Sequence, residues 1–128
     1  MKISIDSEEG GTVCMRVAGS VTQKEIEILA DPMSDLLGAD AYRRRVCLDL
    51  GNTAFLDSSG INWLILSNKR FREQGGRLVL HSLPPLVMNV IKILKMQRVF
   101  EIVDSSQSAK KLLQTNEAAL PVAPGTSV

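Results

Sequence analysis

Apolar residues take every second position near the start of the chain, at Ile3 and Ile5 and again at Val13, Met15 and Val17, with Glu8-Glu9-Gly10-Gly11 between the two runs. Period two marks a half-buried strand, and a glycine break between two such runs predicts a hairpin. Cys14 and Arg16 fall on the face opposite Val13 and Met15, so the second strand has one wetter side. At Thr22 the period changes. Thr22-Gln23-Lys24-Glu25 has the spacing of a capping box, and Ile26 and Leu29 follow on one helical face, so a first helix begins there. Asp31-Pro32 then predicts a kink, or a restart with Asp31 as cap and Pro32 in the first turn, running through Leu37 and ended by Gly38-Ala39-Asp40.

Val46-Cys47-Leu48-Asp49-Leu50 is mostly apolar and predicts a short strand covered on both sides. Downstream, Ile61, Leu64, Ile65 and Leu66 oppose Asn68, Lys69, Arg70 and Arg72, and Gly75-Gly76 is a stop, which predicts a helix from Ser59 to Gln74. Arg77 to His81 is the next strand, and Leu83-Pro84-Pro85 opens a helix from Leu86 to about Met96. Its apolar arc is wider than one packing face requires, which fits either deep packing or an exposed contact surface. Val99 to Val103 predicts a last short strand, and Asp104-Ser105-Ser106 caps a final helix through Leu112 and Leu113. A hairpin followed by alternating strands and helices predicts an α/β fold: one domain over residues 1–115, with a mixed, mostly parallel sheet and four or five helices. Residues 116–128, with Pro-Val-Ala-Pro-Gly-Thr-Ser-Val at the end, read as a flexible tail.

Composition narrows the function. The chain has 128 residues, long enough for a hydrophobic core without staples, and 15 basic residues nearly balance 14 acidic ones. With only 4% aromatic residues there is no nucleic-acid footprint, so proteins are the expected partners. Cys14 and Cys47 lack the clustered spacing of a zinc site or a redox pair and read as reduced structural residues. The N-terminus has no signal-peptide core and no apolar run approaches the ~20 residues that span a bilayer, so a cytoplasmic protein without direct membrane insertion is expected. Arg43-Arg44-Arg45 reads as a solvated strand entrance or as a dock for an acidic surface.

The candidate site is Asp57-Ser58-Ser59-Gly60. Hydroxyls and a glycine opening a helix place backbone N–H donors and the positive end of the helix dipole beside a side chain able to carry phosphate. The same residues are also the ordinary ones for capping a helix. Their position after the carboxyl end of a strand favours a site, because function in α/β sheets gathers there.

Together these segments resemble a STAS domain of the bacterial anti-sigma factor antagonist type. The resemblance covers about Lys2 to Leu113. It rests on Val17-Ala18-Gly19, Val46-Cys47-Leu48-Asp49-Leu50, Phe55-Leu56-Asp57-Ser58-Ser59-Gly60-Ile61, the Gly75-Gly76 stop, and Met96 to Ile102. It implies a non-enzymatic protein that needs no cofactor of its own and binds a serine-kinase anti-sigma factor, freeing the sigma factor. It also implies that Ser58 is phosphorylated by that kinase, which ends binding, and that a metal-dependent serine phosphatase resets the cycle. Asp57, Ser58, Ser59, Gly60 and Trp63 would then form the partner-binding surface. Val21-Thr22, Asn62-Trp63 and Gln97-Arg98 depart from the family pattern; Trp63, the sole tryptophan, reads equally as an exposed anchor or as a packed residue.

Three other readings compete. A STAS scaffold or transporter-associated subunit would not use the phosphorylation cycle. A phosphoaspartate receiver would need Asp6, Glu8 and Glu9 to converge with Asp57 on a metal. A serine hydrolase would need Asp57, His81 and Ser58 or Ser59 as a triad, although Asp57 is adjacent to Ser58 and the nucleophile-elbow glycines are missing. No Walker-type glycine loop is present, so any ATP and Mg²⁺ belong to the partner.

Overall fold

A computed structural model describes residues 1–22 and 31–115. The chain runs β1 (Lys2–Glu9), β2 (Thr12–Val21), α1 (Pro32–Leu37), a 3₁₀ turn (Ala41–Arg43), β3 (Arg45–Leu56), α2 (Ser58–Gln74), β4 (Arg77–His81), α3 (Pro85–Ile93), β5 (Glu101–Val103) and α4 (Ser106–Thr115). The five strands form one sheet in sequence order; β1 is antiparallel to β2 and the other pairs are parallel. The expected hairpin and α/β order are both present. The capping-box helix expected from Thr22 falls on residues 23–30, outside the described residues, as does the expected tail.

Strand alternation sorts side chains to two faces. Val13, Met15 and Val17, Val46, Leu48 and Leu50, and Leu78 and Leu80 point to the larger core, which Met33, Ile61, Leu64, Phe71, Val87 and Ile91 complete from α1, α2 and α3. Cys14, Cys47 and Val79 point the other way and meet Ala109 and Leu113 of α4. The sheet is therefore covered on both faces, which explains the near-continuous apolar run of β3.

Local signals hold at several ends. Asp31 caps α1, its Oδ1 accepting from Ser34 N at 3.2 Å, with Pro32 in the first turn, so the chain restarts at the proline. Gly75 closes α2 in the left-handed region at φ 92°, and the next amide, Gly76 N, reaches Phe71 O at 2.8 Å. Ser105 caps α4, accepting from Ser108 N at 3.2 Å.

Three boundaries differ from the sequence expectation. β3 continues past Leu50 to Leu56, because Ala18 to Val21 of β2 pairs with Asn52 to Leu56 after β4 has ended opposite Asp49. Gly-Asn-Thr-Ala reads as a loop because, among the described residues, this ribbon pairs with a strand on one side only, and Gly51, Asn52, Ala54 and Phe55 are exposed. α3 stops at Ile93, three residues early: Lys95 has φ 58° and Met96 N bonds back to Ile91 O at 2.9 Å, a tight helix ending. β5 starts at Glu101, since Val99 N is taken by Met96 O at 3.0 Å within a turn. The broad apolar arc of α3 divides: Val87 and Ile91 are core, while Leu86 and Ile93, together with Leu94 just past the helix end, are exposed.

Candidate functional site

β3 delivers the chain to the carboxyl edge of the sheet, and α2 turns it back under the larger core. Asp57 sits between them with extended backbone and acts as the N-cap: its Oδ1 accepts from Gly60 N at 2.9 Å, and its carbonyl accepts from Ile61 N at 3.0 Å. Asp57 N donates to Val21 O at 3.3 Å, which ties the loop to the end of β2. The duty of Asp57, open from sequence, is therefore to build the helix entrance.

Gly60 is buried where a side chain has no room. A Cβ there would lie 2.5 Å from Val21 O and would also strike Leu56 Cδ1. The glycine lets the first turn of α2 press onto β2 and β3. Ser58 remains exposed and Ser59 half-buried. Among the described residues, no protein acceptor takes the amide of Ser58 or Ser59, so two orphan donors lie in the first turn of the 17-residue helix that begins at Ser58. That arrangement suits an anion on Ser58, with the amides and the dipole offsetting its charge.

Along α2, exposed Ser58, Asn62, Leu66 and Lys69 repeat at helical spacing and extend the surface away from the hydroxyl. Trp63 does not join them. It is only 9% exposed and packs in the larger core, so the exposed-anchor reading is overturned: at helical spacing from Ser58 it falls on the inward side, next to Leu64.

The other sequence candidates resolve physically. His81 is buried, its Nδ1 is 2.9 Å from Ser82 Oγ, and Asp57 is committed to Gly60, so the triad of the hydrolase reading is not assembled. Burial pushes the imidazole below its ordinary range, with Lys110 adding to this and Asp49 and Asp6 opposing it. The receiver reading fails on topology, because β2 separates β1 from β3. Asp6 pairs with Arg16 at 3.2 Å and Glu8 with Arg44, and no metal-ligand cluster exists among the described residues. Of the arginine run, Arg44 is held by Glu8, Arg45 donates to Leu113 O at 2.5 Å, and Arg43 is exposed. Two of the three arginines are thus tied into the strand entrance and Arg43 is left on the surface.

Sequence spacing missed two features. Cys14 and Cys47, 33 residues apart, are register partners on β2 and β3 with sulfurs 2.8 Å apart. Only strand register, which spacing does not reveal, brings them together. Asp31, Tyr42 and Arg70 form a second cluster: Tyr42 Oη donates to Asp31 Oδ1 at 2.7 Å, and the Arg70 guanidinium stands 5.6 Å from the Tyr42 ring centre. Burial works to raise the Asp31 carboxyl, but hydrogen bonds from Tyr42 and Ser34, with the Arg70 charge, outweigh it and the net direction is down.

The class is that of a single α/β domain with a five-stranded mixed sheet and an exposed serine at a strand-to-helix junction. A family model described as "Mlab, STAS domain" matches residues 5–104, so the chain belongs to the STAS domain family. It is 30% identical over 125 residues to BtrV of Bordetella bronchiseptica, named as an anti-sigma factor antagonist, covering 94% of this chain and 99% of that protein. Among solved structures it is similar to an anti-sigma factor antagonist from Thermotoga maritima, with TM-score 0.76, 16% identity, and 88% and 94% of the two chains covered. It is also similar to the anti-sigma factor antagonist SpoIIAA in its unphosphorylated form, with TM-score 0.67, 16% identity, and 91% and 99% covered. At these identities the structural likeness shows the fold. Among the described residues, no helix is long and apolar enough to cross a membrane.

Proposed function

We propose that this protein is a cytoplasmic anti-sigma factor antagonist whose binding is switched at Ser58. One observation carries the reading: Ser58 is the exposed hydroxyl in the first turn of α2, beside two amides without a protein acceptor and a cap already formed by Asp57. The name of the Bordetella relative gives the partner class, an anti-sigma factor. In this reading the partner is a serine kinase that supplies its own ATP and Mg²⁺, and a metal-dependent serine phosphatase removes the phosphate. The unmodified protein binds through Ser58, Ser59, Asn62 and the exposed side of α2, while Asp57 and Gly60 shape that surface from beneath.

Phosphorylation adds roughly −1.5 to −2 charge at a surface that is otherwise hydroxyl and amide. The helix N-terminus stabilises the dianion in the free protein, but burial against a partner strips its water and brings it against groups that fitted a neutral serine. Release therefore needs no refolding.

The test is to mix the protein with its cognate anti-sigma kinase and Mg-ATP and map the added phosphate, then measure binding of Ser58→Ala and Ser58→Asp. One phosphate on Ser58 is expected, absent in Ser58→Ala. Ser58→Asp should bind roughly tenfold or more weakly, a loss of about 1.4 kcal/mol or more. Phosphate on Ser59 alone, or undiminished binding by Ser58→Asp, would overturn the assignment.

A further inference from the structure

We propose that Cys14 and Cys47 are a peroxide-oxidisable thiol pair that closes reversibly into a disulfide joining β2 to β3. The two residues face each other in the parallel register, on the sheet face covered by α4. Neighbouring strands lie about 4.8 Å apart, within the Cα separation that a disulfide spans. The sulfurs are 2.8 Å apart, so about 0.8 Å of side-chain rotation reaches the bond length of about 2.05 Å. Both cysteines are free thiols in this structure.

The surroundings assign unequal roles. Cys14 lines two adjoining clefts, one with Ser7, Glu9, Thr12 and Gln114 and the other with Asp6, Arg16, Asp49 and His81, and Lys110 lines both. Cys14 keeps 8% of its surface exposed, and the second of these clefts, about 120 Å³ in volume, is the route assigned to a small oxidant. Cys47 has no exposure, and burial, then the hydrogen bond with Cys14, pushes its thiol well above the ordinary range. It is the thiol that waits.

The chemistry balances with hydrogen peroxide as oxidant. Cys14 sulfur attacks one peroxide oxygen and the O–O bond breaks. The departing hydroxide, beside the Lys110 ammonium, takes up the Cys14 thiol proton and leaves as water. The resulting sulfenic acid meets Cys47 at contact distance; the S–S bond forms, and the sulfenic hydroxyl leaves as a second water with the Cys47 proton. Two electrons pass from the two sulfurs to one peroxide. A dithiol reductant reverses the change by exchange. The bridge lies on the face opposite the α2 core, so it locks two strands without touching the Ser58 surface.

The experiment treats the reduced full-length chain with hydrogen peroxide, unfolds it, alkylates free thiols and measures intact mass. Expected is a monomer two hydrogens lighter that takes no alkyl group, yields a Cys14–Cys47 linked peptide, and returns to two alkylatable thiols after dithiothreitol. The oxidised protein should melt higher by roughly 5 to 10 °C, because the closed loop restricts the unfolded chain. Cys47→Ser should accumulate sulfenic acid at Cys14, trapped by dimedone, while Cys14→Ser should keep Cys47 as a thiol under the same exposure. Two alkylatable thiols after peroxide, a sulfinic acid at Cys14 without the linked peptide, or bridges only between molecules would each overturn the proposal. The wild-type readout stands even if a serine variant fails to fold.

Discussion

Replacing Gly60 by alanine tests whether the helix entrance is held in place by close packing. The added Cβ would lie 2.5 Å from Val21 O, so α2 and the end of β2 must separate by about 0.9 Å to restore ordinary contact. Leu56 Cδ1 can swing away, but the carbonyl is backbone and already accepts from Asp57 N. Overpacking of this kind costs about 1 to 3 kcal/mol, and alanine's better helix propensity returns up to about 1 kcal/mol. The net expectation is a loss of about 1 to 2 kcal/mol, seen as a urea midpoint lower by roughly 0.5 to 1 M with an unchanged slope. Gly75→Ala is the control. It places a side chain at φ 92° in open space, at a backbone cost of about 1 kcal/mol, far along α2 from Ser58. The two variants should be comparably destabilised, but only Gly60→Ala should weaken partner binding and speed amide exchange at Ser58 to Ile61. Wild-type stability and exchange in Gly60→Ala would refute the close-packing argument.

Asp57→Ala should destabilise by about 1 kcal/mol in thermal or urea unfolding while Asp57→Asn stays within a few tenths of wild type, because the asparagine oxygen can still accept from Gly60 N. Equal losses in the two variants would show that the carboxylate charge, not the cap hydrogen bond, is what matters. His81, whose folded pKa lies below the ordinary 6.5, binds fewer protons folded than unfolded, so stability holds above pH 6.5 and falls as pH drops toward the folded value. Unfolding free energies from pH 8 to 5 should show that slope, and His81→Gln should flatten it.

Much of this architecture was legible from sequence because the cues were local. Period two found the hairpin, Asp31-Pro32 marked the restart of α1, and Gly75-Gly76 marked the end of α2. The site loop was legible for the same reason, since cap residues and a glycine announce a helix entrance whatever else they do. What escaped depended on partners distant in sequence. The extension of β3 is invisible in Gly-Asn-Thr-Ala because it exists only by pairing with Ala18 to Val21. The thiol pair needed the β2–β3 register, and the burial of Trp63 needed the phase of α2 against the sheet. Asp57 could be located but not given a role until its oxygen was seen on Gly60 N.

The two-stranded extension of the sheet bears on how the serine is offered to an enzyme. Beyond Asp49, the last β3 residue paired with β4, β2 is the one strand paired with this segment among the described residues, and Gly51, Asn52, Ala54 and Phe55 are exposed while Leu50 and Leu56 still reach the core. Such a cantilever opens at a lower free energy than the five-stranded body, since local opening follows the density of buried contacts. Ser58 stands just past its tip. In the proposed switch, a kinase drawing the Ser58 hydroxyl into its own cleft would load this two-stranded ribbon and the Gly60 contact first, leaving the rest of the sheet as the fixed wall.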